Sequence, residues 1–148
     1  MAYSDRELLA RIIKCEAGGE GDDGMRAVAT VVMNRVRVPY GEYQRIGQGN
    51  VRNIIYQAGQ FDCVRGGELK GVPNPQTIWA NPPEQIHYDI ADWALSGNRL
   101  YNIGYSLWYF NPYLPNCPAV FPSNGVGTFQ VQVNQHCFYN PTELYAQT

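Results

Sequence analysis

Apolar residues recur at helical spacing through the first forty positions of the chain. Leu8, Leu9, Ile12 and Ile13 form one stripe, and Ser4 with Glu7 places an S-x-x-E capping box ahead of it. Gly18 and Gly19 end that helix. A second stripe follows behind an acidic start at Asp22 and Asp23: Met25, Val28, Ala29, Val32 and Val36 within GMRAVATVVMNRV. Val31, Val32 and Val36 are β-branched, so tertiary packing must hold this segment helical. A short third helix is expected around residues 51–56. Another is expected over about 83–96, with Ile86, Ile90, Trp93 and Ala94 inward and Gly97 just beyond its end. Residues 59–83 read as a loop punctuated by Gly59, Gly66, Gly67, Gly71, Pro73, Pro75, Pro82 and Pro83. A connection that long inside a compact domain is usually functional.

From Leu107 the period changes. LWYFNP is a short apolar run closed by a proline, and TFQVQV alternates over Phe129, Val131 and Val133. These predict an extended segment and a small β-hairpin closing one side of a helical domain. The expected class is mainly α (α+β), a single domain over residues 1–148, with no internal repeat.

Composition narrows the function classes. The formal net charge of −2 offers no basic surface for nucleic acid or anionic membrane, and no apolar run reaches the length of a membrane span. Met1 to Asp5 is short and polar, so no cleavable leader is expected. Aromatic residues make up 13% of the chain, which suits a sugar-binding cleft and an aromatic core equally. Cys15, Cys63, Cys117 and Cys137 lack metal-ligand spacing, so neither a metal nor a cofactor is expected. Cys117 and Cys137 can pair if the C-terminal segment folds back, but four scattered cysteines read first as separate thiols.

Glu16 stands out among the polar residues. It follows Leu8 and Ile12 at i+8 and i+4, on the face used for burial and at the negative end of the helix dipole. Both effects favour the protonated acid, the form a general acid needs near neutral pH. The other reading is a carboxylate that reaches solvent or pairs with Arg11 or Lys14. Glu20 is open between a second carboxylate of the same cleft and a brace for the Gly-rich turn. Gln60, Phe61 and Asp62 either line a cleft or form a turn. His87 reads as a surface or capping residue, and His136 as a partner for a carboxylate or carbonyl. Ser106 and Ser123 have no nucleophile elbow. Cys15 as a thiol nucleophile lacks any local signature and points about 100° away from Glu16.

LLARIIKCEAGGEGDDGMRAVATVVMNRV carries Ala10, Arg11, Glu16, Ala17, Gly19, Glu20, Gly24, Ala27, Val28, Asn34, Arg35 and Val36 in an order that resembles the opening of the cell wall hydrolase SleB/CwlJ family, the spore cortex-lytic enzymes. VRNIIYQAGQFDCV resembles a later block through Ile55, Tyr56, Gln57, Gly59, Gln60 and Phe61. Tyr109 to Pro112 and His136 to Tyr139 resemble the last two. The resemblance implies a lysozyme-like, lytic-transglycosylase-like fold and cleavage of spore cortex glycan strands during germination. Glu16 falls where the family's acid/base is expected; Glu20, Asn34, Gln60, Phe61, Tyr109, Asn111 and His136 fall on positions expected to bind substrate or support the site. In a transglycosylase one glutamate protonates the glycosidic oxygen, then takes the proton of the muramoyl C6 hydroxyl as it attacks C1.

The chain departs from the pattern in two ways. It lacks a peptidoglycan-binding repeat and the tryptophan associated with SleB-type members between the late blocks, which implies the CwlJ-like branch, a spore-coat location and a coat-protein partner. Cys15 and Cys63 also interrupt otherwise matching blocks. The expected molecule is thus a monomer acting on peptidoglycan, without nucleic acid or membrane. Its alternatives are a catalytically silent spore-coat or peptidoglycan-binding protein and, more weakly, a Cys-dependent amidase or peptidase.

Overall fold

A computed structural model describes residues 2–64, 68–69, 72–73 and 76–148. Among the described residues, five α-helices come first or near the middle: α1 (Asp5–Ala17), α2 (Gly21–Arg37), α3 (Gly41–Gly47), α4 (Val51–Tyr56) and α5 (Gln85–Leu95). Short strands β1 (Glu68–Leu69) and β2 (Val72–Pro73) pair antiparallel. The strands β3 (Trp108–Phe110), β4 (Gly127–Val133) and β5 (His136–Pro141) form an antiparallel sheet in the order β3-β5-β4. The fold class is the expected one, mainly helical with a small sheet near the C-terminus.

Local chemistry accounts for most helix ends. Ser4 Oγ accepts from the Glu7 amide at 3.1 Å, as the capping box requires, but the Glu7 carboxylate turns to Arg11 instead of closing the box. Leu8, Leu9, Ile12 and Ile13 are fully buried where α1 packs against α2, α4 and α5. α2 buries more than the single face its stripe predicts. Met25, Val28, Ala29 and Val32 join the helical core, while Ala27 and Val31 pack with Ile103, Val133 and Phe138 beneath the sheet. A helix covered on both sides can keep its valines, because packing replaces propensity.

Several expectations need correction. α3 was not foreseen: GEYQRIG is too short to show a period, and its place is set by Tyr43, whose amide donates to the Tyr145 hydroxyl at 3.1 Å. α5 starts two residues later than expected, after Glu84, and its inner stripe is His87, Ile90, Ala91 and Ala94. Ile86 is therefore exposed and Trp93 half-buried beneath the Arg26 guanidinium. His87 is a capping residue, accepting the Glu84 amide on Nδ1 at 2.9 Å. In β4 the alternation does not persist, because a bulge falls between Phe129 and Val131 opposite Tyr139 and Phe138. The extra residue leaves Phe129 exposed while Val133 stays buried. The long loop contains a 3₁₀ turn, Asp62–Val64, besides β1 and β2; Gly66, Gly67, Gly71 and Pro75 lie outside the described residues.

The cysteines are not separate thiols. Cys15 bonds to Cys63 and Cys117 to Cys137, leaving no free cysteine among the described residues. The Cys117–Cys137 pair is the one left open for a C-terminal segment that folds back, whereas nothing in the spacing pointed to Cys15–Cys63, whose partners lie 48 residues apart. The second bridge ties residue 117 to β5, where Cys137 lies opposite Phe110 of β3.

Gly127 opens β4 where the chain comes too close for a side chain. A Cβ there meets the Phe121 carbonyl oxygen at 2.1 Å and the Trp108 ring at 2.9 Å. Gly127→Ala is expected to lower stability by about 1–3 kcal/mol, measured by urea denaturation. An unchanged midpoint contradicts the close approach.

Candidate active site

Glu16 occupies the last turn of α1, and its side chain lines an open cleft of about 430 Å³ with Arg35, Gln60, Asp62, Tyr109, Asn111 and His136. The two alternatives for its charge are met elsewhere. Arg11 pairs with Glu7 and donates to the Ile78 carbonyl, while Lys14 donates to the Pro82 carbonyl at 2.8 Å. Glu16 Oε1 accepts from the Tyr109 hydroxyl at 2.6 Å. Oε2 lies 2.8 Å from Cys63 Sγ, a disulfide sulfur that has no hydrogen to donate.

Burial raises the pKa of Glu16 above the usual carboxylate range; the Tyr109 hydrogen bond opposes it, Asp62 adds to it, and Arg35 and His136 oppose it. Tyr109 is itself pushed well above the ordinary phenol, first by burial and then by Glu16, so it remains a donor. β3 aims this tyrosine across the sheet, with its ring edge-on to His136 at 5.4 Å. The result is a carboxyl that keeps its proton to higher pH than usual and is held at one oxygen.

The remaining expected residues separate into two groups. Gln60 and Asn111 reach the cleft: Gln60 Oε1 accepts from Tyr43 at 2.9 Å and Arg35 Nη1 at 3.5 Å, and Asn111 donates to Gln135. His136 also reaches it, while its Nδ1 donates to the Glu20 carboxylate at 2.6 Å. Glu20 itself is not on the cleft wall; it braces the β4–β5 turn, also accepting at its carbonyl from Asn134. Phe61 is buried beneath the Arg35 guanidinium. Asn34 is likewise buried, donating to the Gly104 and Ser106 carbonyls at 2.9 Å each and accepting from Arg99 at 2.8 Å.

Arg35, Phe110, Tyr113 and Phe121 also line the cleft and were given no site role from sequence. Arg35 sits inside the NRV block, but its function depends on the Leu107 carbonyl it meets at 2.7 Å, far along the chain. Nothing in local spacing could reveal that.

The family model described as Cell Wall Hydrolase matches residues 19–139. The chain belongs to this family. It is 31% identical over 139 residues to cell wall hydrolase CwlJ of Bacillus subtilis, covering 94% of this chain and 87% of the relative. A spore cortex-lytic enzyme of Oceanobacillus iheyensis is 29% identical, covering 75% of this chain and 34% of that protein. Among solved structures, the catalytic domain of the germination-specific lytic transglycosylase SleB from Bacillus anthracis superposes with a TM-score of 0.63 at 22% identity, over 94% of this chain and 98% of that one. The catalytic domain of Bacillus cereus SleB gives 0.64 at 22% identity, over 94% and 93%. The fold is therefore that of the SleB catalytic domain. The cell wall hydrolase match begins just after Glu16, whereas Glu20, Asn34, Gln60, Phe61, Tyr109, Asn111 and His136 all fall within it.

The Tyr109 hydroxyl stabilises the Glu16 carboxylate rather than the acid. Tyr109→Phe is accordingly expected to move the Glu16 titration to higher pH, followed by carboxyl ¹³C NMR. A shift to lower pH contradicts this hydrogen bond.

Proposed function

We propose that this cell wall hydrolase is a peptidoglycan-degrading enzyme that cleaves cortex glycan strands during spore germination, with Glu16 as its acid/base. The observation that carries the reading is the Glu16 carboxyl: half-buried, raised in proton affinity, hydrogen-bonded by Tyr109, and facing a groove. Two further lobes adjoin that groove. One lobe of about 310 Å³ shares Arg35, Gln60, Tyr109 and Phe121 with the Glu16 cleft, and another of about 530 Å³ shares Asp62 and Tyr113. A polymer can thread through such a trough with the acid near its middle.

Glycoside cleavage needs a proton at the leaving oxygen, since an alkoxide departs poorly. Protonated Glu16 supplies it as the C1–O bond breaks. The resulting carboxylate, steadied by Tyr109, then accepts the proton of the C6 hydroxyl whose oxygen bonds to C1, leaving a 1,6-anhydro end. Water in place of that hydroxyl gives a reducing end. A single carboxyl performs both transfers, consistent with Glu20 being engaged by His136 outside the cleft. Gln60, Asn111 and His136 bind or orient the sugar, while Glu20, Asn34 and Phe61 support them from behind. The names of the relatives, a spore cortex-lytic enzyme and a germination-specific lytic transglycosylase, support a germination role and lytic transglycosylase-type cleavage; one catalytic domain over residues 1–148 located in the endospore integument completes the proposal. The thiol peptidase reading is overturned, because Cys15 is bonded to Cys63.

Purified protein incubated with cortex fragments should release muropeptides with anhydro-muramoyl ends, detected by mass. Glu16→Gln should lower that release by at least about 100-fold. Reducing ends alone would replace transglycosylation with hydrolysis, and no product from the wild type would favour a silent binding protein. Folding reads the same carboxyl independently. Its raised pKa contributes stability that is present below the ordinary carboxylate range and lost as pH rises through the folded value. Wild-type thermal stability should thus fall relative to Glu16→Gln across that interval, then run parallel to it at higher pH.

A further inference from the structure

Cys15 immediately precedes Glu16 on α1, and Cys63 lies in the 3₁₀ turn that follows Gln60 and Phe61 and begins with Asp62. Their disulfide joins positions 48 residues apart, with Cα atoms 6.2 Å from each other. It therefore ties the cleft wall carrying Gln60 and Asp62 to the end of the helix carrying Glu16. Cys63 Sγ is also 2.8 Å from Glu16 Oε2. A bonded sulfur donates no proton, so this contact gives a carboxylate no hydrogen bond while occupying space from which water would solvate it. The other groups facing Glu16 are Tyr109 on β3, Arg35 on α2, Asp62 on the 3₁₀ turn and His136 on β5, the last held by Glu20.

We propose that the Cys15–Cys63 disulfide is a positioning element for Glu16, its Cys63 sulfur shielding Oε2 from water while the bridge holds the Gln60 and Asp62 wall in place. The inference deepens, and rests on, the acid/base reading of Glu16. A dithiol reductant opens the bridge by exchange: the reductant loses two electrons and two protons and closes to its own disulfide, while Cys15 and Cys63 become thiols. The Cys63 S–H then faces Oε2 as a donor, and water gains access. Both changes stabilise the carboxylate and lower its proton affinity. The working acid is the protonated form, so the basic limb of the activity profile moves to lower pH.

The test uses Cys15→Ala/Cys63→Ala, with Cys117→Ala/Cys137→Ala as the control and Glu16→Gln as the marker of the reading itself. Glu16 is followed by carboxyl ¹³C titration, and turnover of cortex fragments is followed against pH. The expected result is a Glu16 titration and a basic limb displaced together to lower pH in the first variant only. Turnover above the displaced limb falls about tenfold per pH unit of displacement. Should that variant not fold, dithiothreitol added to Cys117→Ala/Cys137→Ala opens the same bridge alone, with a displacement in the same direction expected, enlarged by the Cys63 S–H donor. A folded, opened protein whose Glu16 titrates as in the wild type overturns the proposal. Glu16→Gln with wild-type turnover would instead overturn the acid/base reading, and the NMR titration would still decide whether the bridge controls the carboxyl.

Discussion

Asn34 and Arg35, side by side near the end of α2, hold the C-terminal half of the molecule to the helical half. Asn34 donates to the Gly104 and Ser106 carbonyls, and Arg35 donates to the Leu107 carbonyl. These carbonyls belong to the segment that leads into β3, so polar side chains on a buried helix hold the point at which the chain enters that strand. A buried guanidinium without partners is prohibitively unfavourable. Here the Leu107 carbonyl and the faces of Tyr43 and Phe61 surround it, at 4.8 Å and 5.3 Å from the ring centroids. The site depends on this attachment, because Tyr109 reaches Glu16 only when β3 is anchored there.

The cleft is organised around keeping one carboxyl in a poorly solvated place without leaving it unsupported. Desolvation dominates its proton affinity, and Tyr109 limits the effect while fixing one oxygen. Glu20 and His136 satisfy each other with little solvent exposure, so the second acidic residue of the motif braces the sheet rather than competing for the same proton. The sulfur bridge beside Glu16 adds a covalent link between two walls that share no secondary structure. Together these features join a helix end, a loop and a strand into one rigid surface.

Much of the helical half was legible because its signals are local. The Ser4 cap, the α1 stripe, the acidic start of α2 and the glycines after Ala17 each act within a turn or two of chain. Glu16 was legible as a misfit for the same reason: helical spacing alone places it on the buried face. The hairpin was legible in outline, but the β4 bulge was not, since one extra residue is defined only by its partner strand. α3 escaped because seven residues carry too little periodicity; the Cys15–Cys63 bridge escaped, and Cys117–Cys137 stayed an alternative, because covalent pairing follows three-dimensional proximity.

The same division runs through the chemistry. Sequence by itself determined that an acid would sit at the end of a greasy helix, and its motif order carried the resemblance to cell wall hydrolases. Only the tertiary structure decided what surrounds that acid. It separated Glu20 from the cleft, buried Asn34 and Phe61 behind it, brought in Arg35 and Asp62, and set Tyr109 and the Cys63 sulfur against opposite oxygens of Glu16. Helical spacing fixes the direction of a side chain within a few residues. Its solvation and partners depend on segments as distant as Tyr109 and His136, which meet only when the core closes.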